Sequence, residues 1–230
     1  MKTIGIIGGM SWESTVPYYR DVNELVKQRL GGLHSAKVIL YSVDFHEVEA
    51  LQREGRWDEA GAMMAVAAAS LEAAGADLVI LATNTMHEVA PAIEAAIGVP
   101  FIHIADPTAA AIKAAGLATM GLLGTRFTME RDFYRTRLAN VHGLAVVVPA
   151  EADRAEVHRV IYEELALGIF SEASRQAFRE IIERLVAAGA EGVILGCTEI
   201  GLLVSAEDSP VPLFDTGALH VRAAVDAALG

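Results

Sequence analysis

The chain holds one cysteine, Cys197, in the stretch Leu195-Gly196-Cys197-Thr198-Glu199. A thiol placed where a buried strand ends and a helix starts is expected to have a lowered pKa, because unpaired N–H groups at a helix start favour the thiolate. Such a thiolate can act as base or nucleophile. A purely structural cysteine would suit the same place, since free cysteine is among the most buried residue types. A second loop mirrors the first. Ala82-Thr83-Asn84-Thr85-Met86-His87 also follows an apolar run, and both runs follow an Ala-Gly-Ala. Here a hydroxyl, Thr83, stands where the other loop has its thiol. Thr83, Asn84 and Thr85 can bind a carboxylate through side chains and helix-start N–H groups. Helix capping would occupy only one of the three.

Two further loops belong with these. Gly8-Gly9-Met10-Ser11 allows a tight turn and close backbone approach to a ligand, with Ser11 and Ser14 as ordinary capping residues. Thr125 follows the run MGLLG at 120–124, with Arg126 as either a reader of substrate charge or a solvated cation. Gln52 and Arg53 are placed on a polar turn past the second strand. No G-x-G-x-x-G fingerprint, phosphate loop or metal-ligand spacing is present. The four lysines, Lys2, Lys27, Lys37 and Lys113, lie outside these loops, so a pyridoxal phosphate imine has no seat. No cofactor and no metal are expected. His103 reads as a core or strand-end histidine.

The elements that must carry these loops alternate. TIGIIG (3–8), KVILYSVDF (37–45), LVILAT (78–83) and VPFIHI (99–104) read as strands. Amphipathic stretches at 11–30, 57–75 and 87–97 read as helices. The pattern then restarts: IGIIGG at 4 resembles MGLLGT at 120, AGADLVILATNT at 74 resembles AGAEGVILGCTE at 188, and VPFIHIAD at 99 resembles VPLFDTGA at 211. The expected fold is therefore α/β, with two pseudo-symmetric lobes, each a mainly parallel sheet flanked by helices. The first lobe would take residues 1–100 plus about 215–230, the second about 101–214. Ligands of open α/β sheets bind outside the carboxyl ends of the strands, so the active site is expected in a cleft between the lobes. In that arrangement Thr83 and Cys197 are one position seen twice. Removing a proton from one face of a carbon and delivering one to the other needs two such groups.

Composition bounds the partners. The chain has 230 residues, 53% hydrophobic and 6% aromatic, with a mean hydropathy of +0.37. Aliphatic packing must dominate, which suits parallel sheets covered on both faces. The formal net charge of −12 would repel nucleic acid and anionic membranes, so neither is an expected partner. One cysteine suits a reducing cytoplasm, and MKTIGIIGGM reads as a first strand and not a signal segment.

GGMSWESTVPYY, VDFHEVEALQREGRW, TNTMH, HIAD, LGTRFTMERDFY and GCTEIGLL together resemble the aspartate/glutamate racemase family over essentially the whole chain. The resemblance implies a cofactor-independent isomerase that inverts the α-carbon of L-aspartate, L-glutamate or both. Members commonly carry Cys-Asn-Thr in the first lobe and Gly-Cys-Thr in the second. This chain keeps Gly196-Cys197-Thr198 and Asn84-Thr85 but has Thr83 in place of the first cysteine, so it resembles the Thr/Cys branch found in enterobacteria. The resemblance implies Cys197 and Thr83 as catalytic residues, with Met10, Gln52, Asn84, Thr85, Thr125, Thr198 and Glu199 as contacts to an acidic amino acid. A homodimer also fits the family. Some relatives carry a lysine in the segment that here reads EELALG (163–168), where there is none. Two other readings fit a single thiol: a decarboxylase of a malonate-like diacid, and a binding protein that holds an acidic amino acid without turnover.

Overall fold

Ile4, Ile6 and Ile7 have no solvent to face on either side, and that is why β1 (Thr3–Gly8) is the inner strand of its sheet. The computed structural model describes residues 1–230. It divides into two units, Met1–Ile104 with His220–Gly230, and Ala105–Leu219.

In the first unit β1 leads to α1 (Trp12–Leu30), β2 (Lys37–Ser42), α2 (Phe45–Glu54), α3 (Trp57–Ala73), β3 (Leu78–Leu81), α4 (Ala90–Ala96) and β4 (Phe101–Ile102). The four strands are parallel in the order β2-β1-β3-β4. Helix α1 buries Tyr18, Val22 and Val26, one residue per turn, as a single apolar stripe against the sheet, with Ser14 and Thr15 buried in its first turn. Three strands are shorter than their sequences suggest, and the run at 78–83 forms a strand only over Leu78–Leu81. The run at 37–45 leaves the sheet after Ser42, because Asp44 caps α2 by accepting the His46 N–H at 3.0 Å. The run at 99–104 pairs only at Phe101 and Ile102. Gln52 and Arg53, expected on a turn, lie in α2, which runs on to Glu54 and stops at Gly55 in the left-handed region.

The second unit repeats the plan with α5 (Ala105–Ala114), β5 (Thr119–Gly124), α6 (Arg126–Glu130), α7 (Asp132–Asn140), β6 (Ala145–Val147), α8 (Glu151–Glu163), α9 (Glu172–Ala187), β7 (Gly192–Gly196), α10 (Ile200–Leu203), β8 (Leu213–Asp215) and α11 (Thr216–Leu229). Its strands are also all parallel, in the order β6-β5-β7-β8. The fold is therefore α/β, with two parallel four-stranded sheets flanked by helices. Phe178, Ile181, Ile182 and Leu185 of α9 pack with Val157, Val160, Val193 and Leu195. Each such side chain, fully buried, stabilises the unit by roughly 2 kcal/mol. From His220 onward α11 packs in the first unit, where Val221, Ala224, Val225 and Ala228 meet Ile4, Ile6, Tyr18 and Val22. No helix is long and apolar enough to cross a membrane.

Register makes the internal repeat concrete. Ile7 pairs with Leu81 in the first sheet, and Leu123 pairs with Leu195 in the second. Thr83 and Cys197 each lie two residues beyond those pairs, at the carboxyl end of an inner strand. They are the same position in the two sheets.

Candidate active site

At the carboxyl end of β1 the backbone turns sharply. Gly9 has φ +95°, and a Cβ there would run into the Val43 backbone, so only glycine serves. Its N–H donates to Thr15 Oγ1 at 2.8 Å, and that hydroxyl donates to the Ser11 carbonyl at 2.8 Å. Ser11 caps α1, as its residue type suggested. Met10, between them, is buried.

The Thr83 loop is anchored along its backbone. The Ala82 N–H continues the ladder to the Ile7 carbonyl, and the Thr83 N–H turns back to the Leu81 carbonyl, both at 2.8 Å. A 3-10 turn follows at Thr85–Val89, and Asn84 makes no side-chain cap to it. The cluster of three polar residues is therefore not explained by capping. Thr83, Asn84, Thr85 and His87 are all buried. The His87 Nδ1–H donates to the Thr83 carbonyl at 2.7 Å, and Nε2 accepts the Ile104 N–H at 3.1 Å. A backbone N–H can only donate, so this network assigns the neutral ring with its proton on Nδ1. Gln52 is buried too, its Nε2 donating to the Met86 sulfur at 3.0 Å. The helix α2, not a turn, brings it to this loop.

In the second unit Thr125 caps α6, accepting the Thr128 N–H at 3.3 Å. Arg126 is exposed, with its guanidinium 5.5 Å from the centre of the Phe127 ring, and its backbone N–H donates to His158 Nδ1 at 3.3 Å. Gly196 is required where β7 ends, because a Cβ there would come within 2.9 Å of the Leu123 carbonyl. Cys197 follows, 8% exposed. Its thiol donates to Glu199 Oε2 at 3.0 Å, and the Thr198 hydroxyl donates to the same oxygen at 2.9 Å. Glu199 is buried and Thr198 partly so.

This geometry reverses one expectation. Burial pushes the Cys197 thiol well above its usual value, and the Glu199 carboxylate beside it pushes the same way, through its charge and by accepting the thiol hydrogen. The Glu199 backbone N–H donates to the sulfur and pulls the other way, but it is outweighed, and helix α10 beyond it is only four residues long. The resting group is a thiol paired with a carboxylate, not a free thiolate.

The first unit thus brings Met10, Gln52, Thr83, Asn84 and Thr85 into buried or strand-end positions, and the second does the same for Thr125, Cys197, Thr198 and Glu199. Two features were not read from the sequence. One is the Cys197–Glu199 hydrogen bond. The other is the histidine group behind Thr83: His103 lies 4.4 Å from His87, ring centre to ring centre, and His220 lies 5.9 Å from it. The His220 Nε2–H donates to the Ile102 carbonyl at 2.7 Å, which leaves Nδ1 to accept the Tyr18 hydroxyl at 3.1 Å. No three His, Cys, Asp or Glu residues are arranged to hold a metal ion.

Residues 7–224 match the family model described as Asp/Glu/hydantoin racemase. A Yersinia pestis protein described as a candidate Asp/Glu racemase has a crystal structure 59% identical in sequence, with a TM-score of 0.93 and both chains covered in full. An aspartate racemase homologue from Pyrococcus horikoshii is 37% identical, with a TM-score of 0.86, again over the whole of both chains. The broad specificity amino-acid racemase of Bacillus subtilis is 24% identical over 227 residues, 96% of each chain.

Proposed function

Since the chain belongs to the Asp/Glu/hydantoin racemase family, and is thereby an isomerase, we propose that it racemises L-aspartate, L-glutamate or both, with Cys197 and Thr83 as the groups that move the α-proton. The observation that carries this reading is a pair of groups at one register position in two like sheets. One is a thiol hydrogen-bonded to Glu199, the other a hydroxyl on a loop tied down at its backbone. The proposal requires the Thr83 and Cys197 loops to reach the same substrate from opposite faces.

The resting thiol must lose its proton before it can act as a base. Glu199 is the acceptor already in place. A substrate ammonium arriving at the Glu199–Thr198 pair offsets the negative charge that holds the thiol protonated, so substrate binding itself favours the thiolate. The thiolate then removes the α-proton of the L-enantiomer, and the C–H bonding pair remains on the substrate as a carbanion. Thr83 delivers a proton to the opposite face, and solvent restores the Thr83 hydroxyl while Glu199 returns its proton to solvent. Gln52, Asn84, Thr85 and Thr125 hold the substrate's carboxylates, with Met10 as a further contact. No cofactor enters the scheme. We propose cytoplasmic action on the free amino acid.

A threonine hydroxyl is a far weaker acid than a thiol, so the two directions differ. Starting from the D-enantiomer, Thr83 must be the base. The scheme therefore has a lower kcat from D than from L. Both enantiomers have the same free energy, so kcat/KM is equal in the two directions and KM must differ in proportion.

Incubation with L-aspartate and with L-glutamate, resolved by chiral chromatography, tests the reading. Appearance of the D-isomer from at least one supports it. Absence of the D-isomer from both, with binding of each confirmed by calorimetry, contradicts it.

A further inference from the structure

Resting on the racemase reading, we propose that His87 is a positioning residue for the Thr83 half of the reaction. Its neutral ring clamps the Thr83 carbonyl through Nδ1–H and ties it through Nε2 to the backbone of Ile104. The observation is a clamp made of two opposed hydrogen bonds on one buried ring, 2.7 Å to Thr83 and 3.1 Å from Ile104. The Thr83 peptide is fixed from its other side by its own N–H, which bonds the Leu81 carbonyl at 2.8 Å. With both ends of the residue held, Cα and the direction of its Cα–Cβ bond are held as well, and the hydroxyl swings only about χ1. A weak acid at this position gains from such restraint, because it transfers a proton only when aligned with the reacting carbon.

Comparison of the two sheets shows that this arrangement belongs to the hydroxyl loop alone. Counting on from the matched positions Thr83 and Cys197, His87 corresponds to Gly201. By the match between the last strands, His103 corresponds to Asp215. In the second unit a Cβ on Gly201 would come within 2.5 Å of an Asp215 carboxylate oxygen. In the first unit the same two places are filled by rings 4.4 Å apart. The thiol loop has a glycine against a carboxylate behind it, and its reactive group is held by Glu199. The hydroxyl loop has no counterpart of Glu199 two residues on, where Thr85 stands, and has the histidine clamp in its place. His103 meets His87 edge-on, with 60° between the ring planes, and limits how far the ring can turn.

The roles of the two ring atoms differ, so two substitutions separate them. In His87→Asn the side-chain amide N–H reaches the place of Nδ1–H and keeps the bond to the Thr83 carbonyl. In His87→Gln the amide reaches the place of Nε2 and releases that carbonyl. The readout is the ratio of D-product formed to α-proton washed out when L-substrate turns over in heavy water. His87→Gln is expected to lower this ratio by about 10- to 100-fold, with washout itself preserved. His87→Asn is expected to keep it within about threefold of the unaltered protein. An unchanged ratio in His87→Gln, or an equal loss of washout and inversion in a folded protein, overturns the proposal. The clamp is also tested without any variant. Nitrogen-15 NMR of the unaltered protein at neutral pH should show His87 as the neutral Nδ1–H tautomer, and a cationic ring or the Nε2–H tautomer overturns it. Failure of the racemase reading is distinct, since it is seen in the unaltered protein as no inversion at all.

Discussion

Among single residues, Cys197 and Glu199 define what the thiol side can do. Their 3.0 Å hydrogen bond and their burial keep the thiol protonated in the resting protein. Because the chain has one cysteine, the carbon-13 signal of its Cβ reports one titration. The midpoint should lie above the ordinary thiol range. Glu199→Gln removes a negative charge that disfavours the thiolate, so the midpoint should move down, and an unchanged or higher midpoint would contradict this account. Thr83→Cys tests the other side. A second thiol replaces a hydroxyl as base toward the D-enantiomer, so kcat from D should rise by about tenfold or more. The ratio of kcat/KM for the two enantiomers must stay at one, and a kcat from D that does not rise would show that Thr83 is not the limiting group. Cys197 and the Thr-Asn-Thr run were legible in the sequence because the chain has one cysteine, and because helix capping needs only one of three polar residues in a row. The sign of the thiol's shift was not, because it depends on which atom the thiol meets, and a neighbour two positions away can point anywhere.

Among the elements, close strand approach and helix anchoring place the loops. At Gly196 an added Cβ would stand 2.9 Å from both the Leu123 carbonyl and the Leu122 Cδ1. Gly196→Ala should therefore cost about 1–3 kcal/mol by overpacking, read from urea unfolding. Helix α9 is tied to the turn at Ala206–Asp208 through Asp208, whose carboxylate accepts from Arg179 at 2.6 Å, from Arg175 at 3.2 Å and from the Ser205 N–H at 2.8 Å. Burial alone would raise the Asp208 pKa, but the Ser205 N–H and the Arg179 guanidinium outweigh it and hold it at about 2. A carboxylate depressed in the folded state stabilises fully above its unfolded value and loses that contribution as the pH falls through its folded value. Acid should thus weaken the second unit between about pH 4 and pH 2. Asp208→Asn should remove the Asp208 share of this pH dependence, leaving that of Asp106, Glu156 and Glu164, which are also held below the usual carboxylate range, and cost about 2 kcal/mol at neutral pH, measured by urea unfolding across that range. The strands and helices were legible from periodicity, and so was the repeat. Strand ends were not. Asp44 as a cap reflects a local hydrogen bond that outcompetes strand propensity, and the two-residue β4 stops short of Ile104, whose N–H is given to His87. Gln52 looked like a turn residue because Gly55 ends its helix only three residues later.

For the whole molecule, the same strand order appears twice, β2-β1-β3-β4 and β6-β5-β7-β8, and the register places unlike groups at like positions. The equivalence of Thr83 and Cys197 was visible as a near-constant offset between matched segments. The unequal support behind them, His87 and His103 against Gly201 and Asp215, was hidden in the same offset. A histidine in a strand reads as packing until its hydrogen bonds are known. The central claim is that two unlike groups each serve one face of the α-carbon. The measurement that meets it most directly is α-proton NMR with L-aspartate in heavy water, paired with chiral chromatography, on the unaltered protein, Thr83→Ala and Cys197→Ala. If aspartate is not turned over, L-glutamate takes its place. The unaltered protein should show washout and inversion together. Thr83→Ala should keep washout while inversion falls by about 100-fold or more, and Cys197→Ala should lose both. Inversion at the unaltered rate in Thr83→Ala, or washout that survives in Cys197→Ala, would contradict the account.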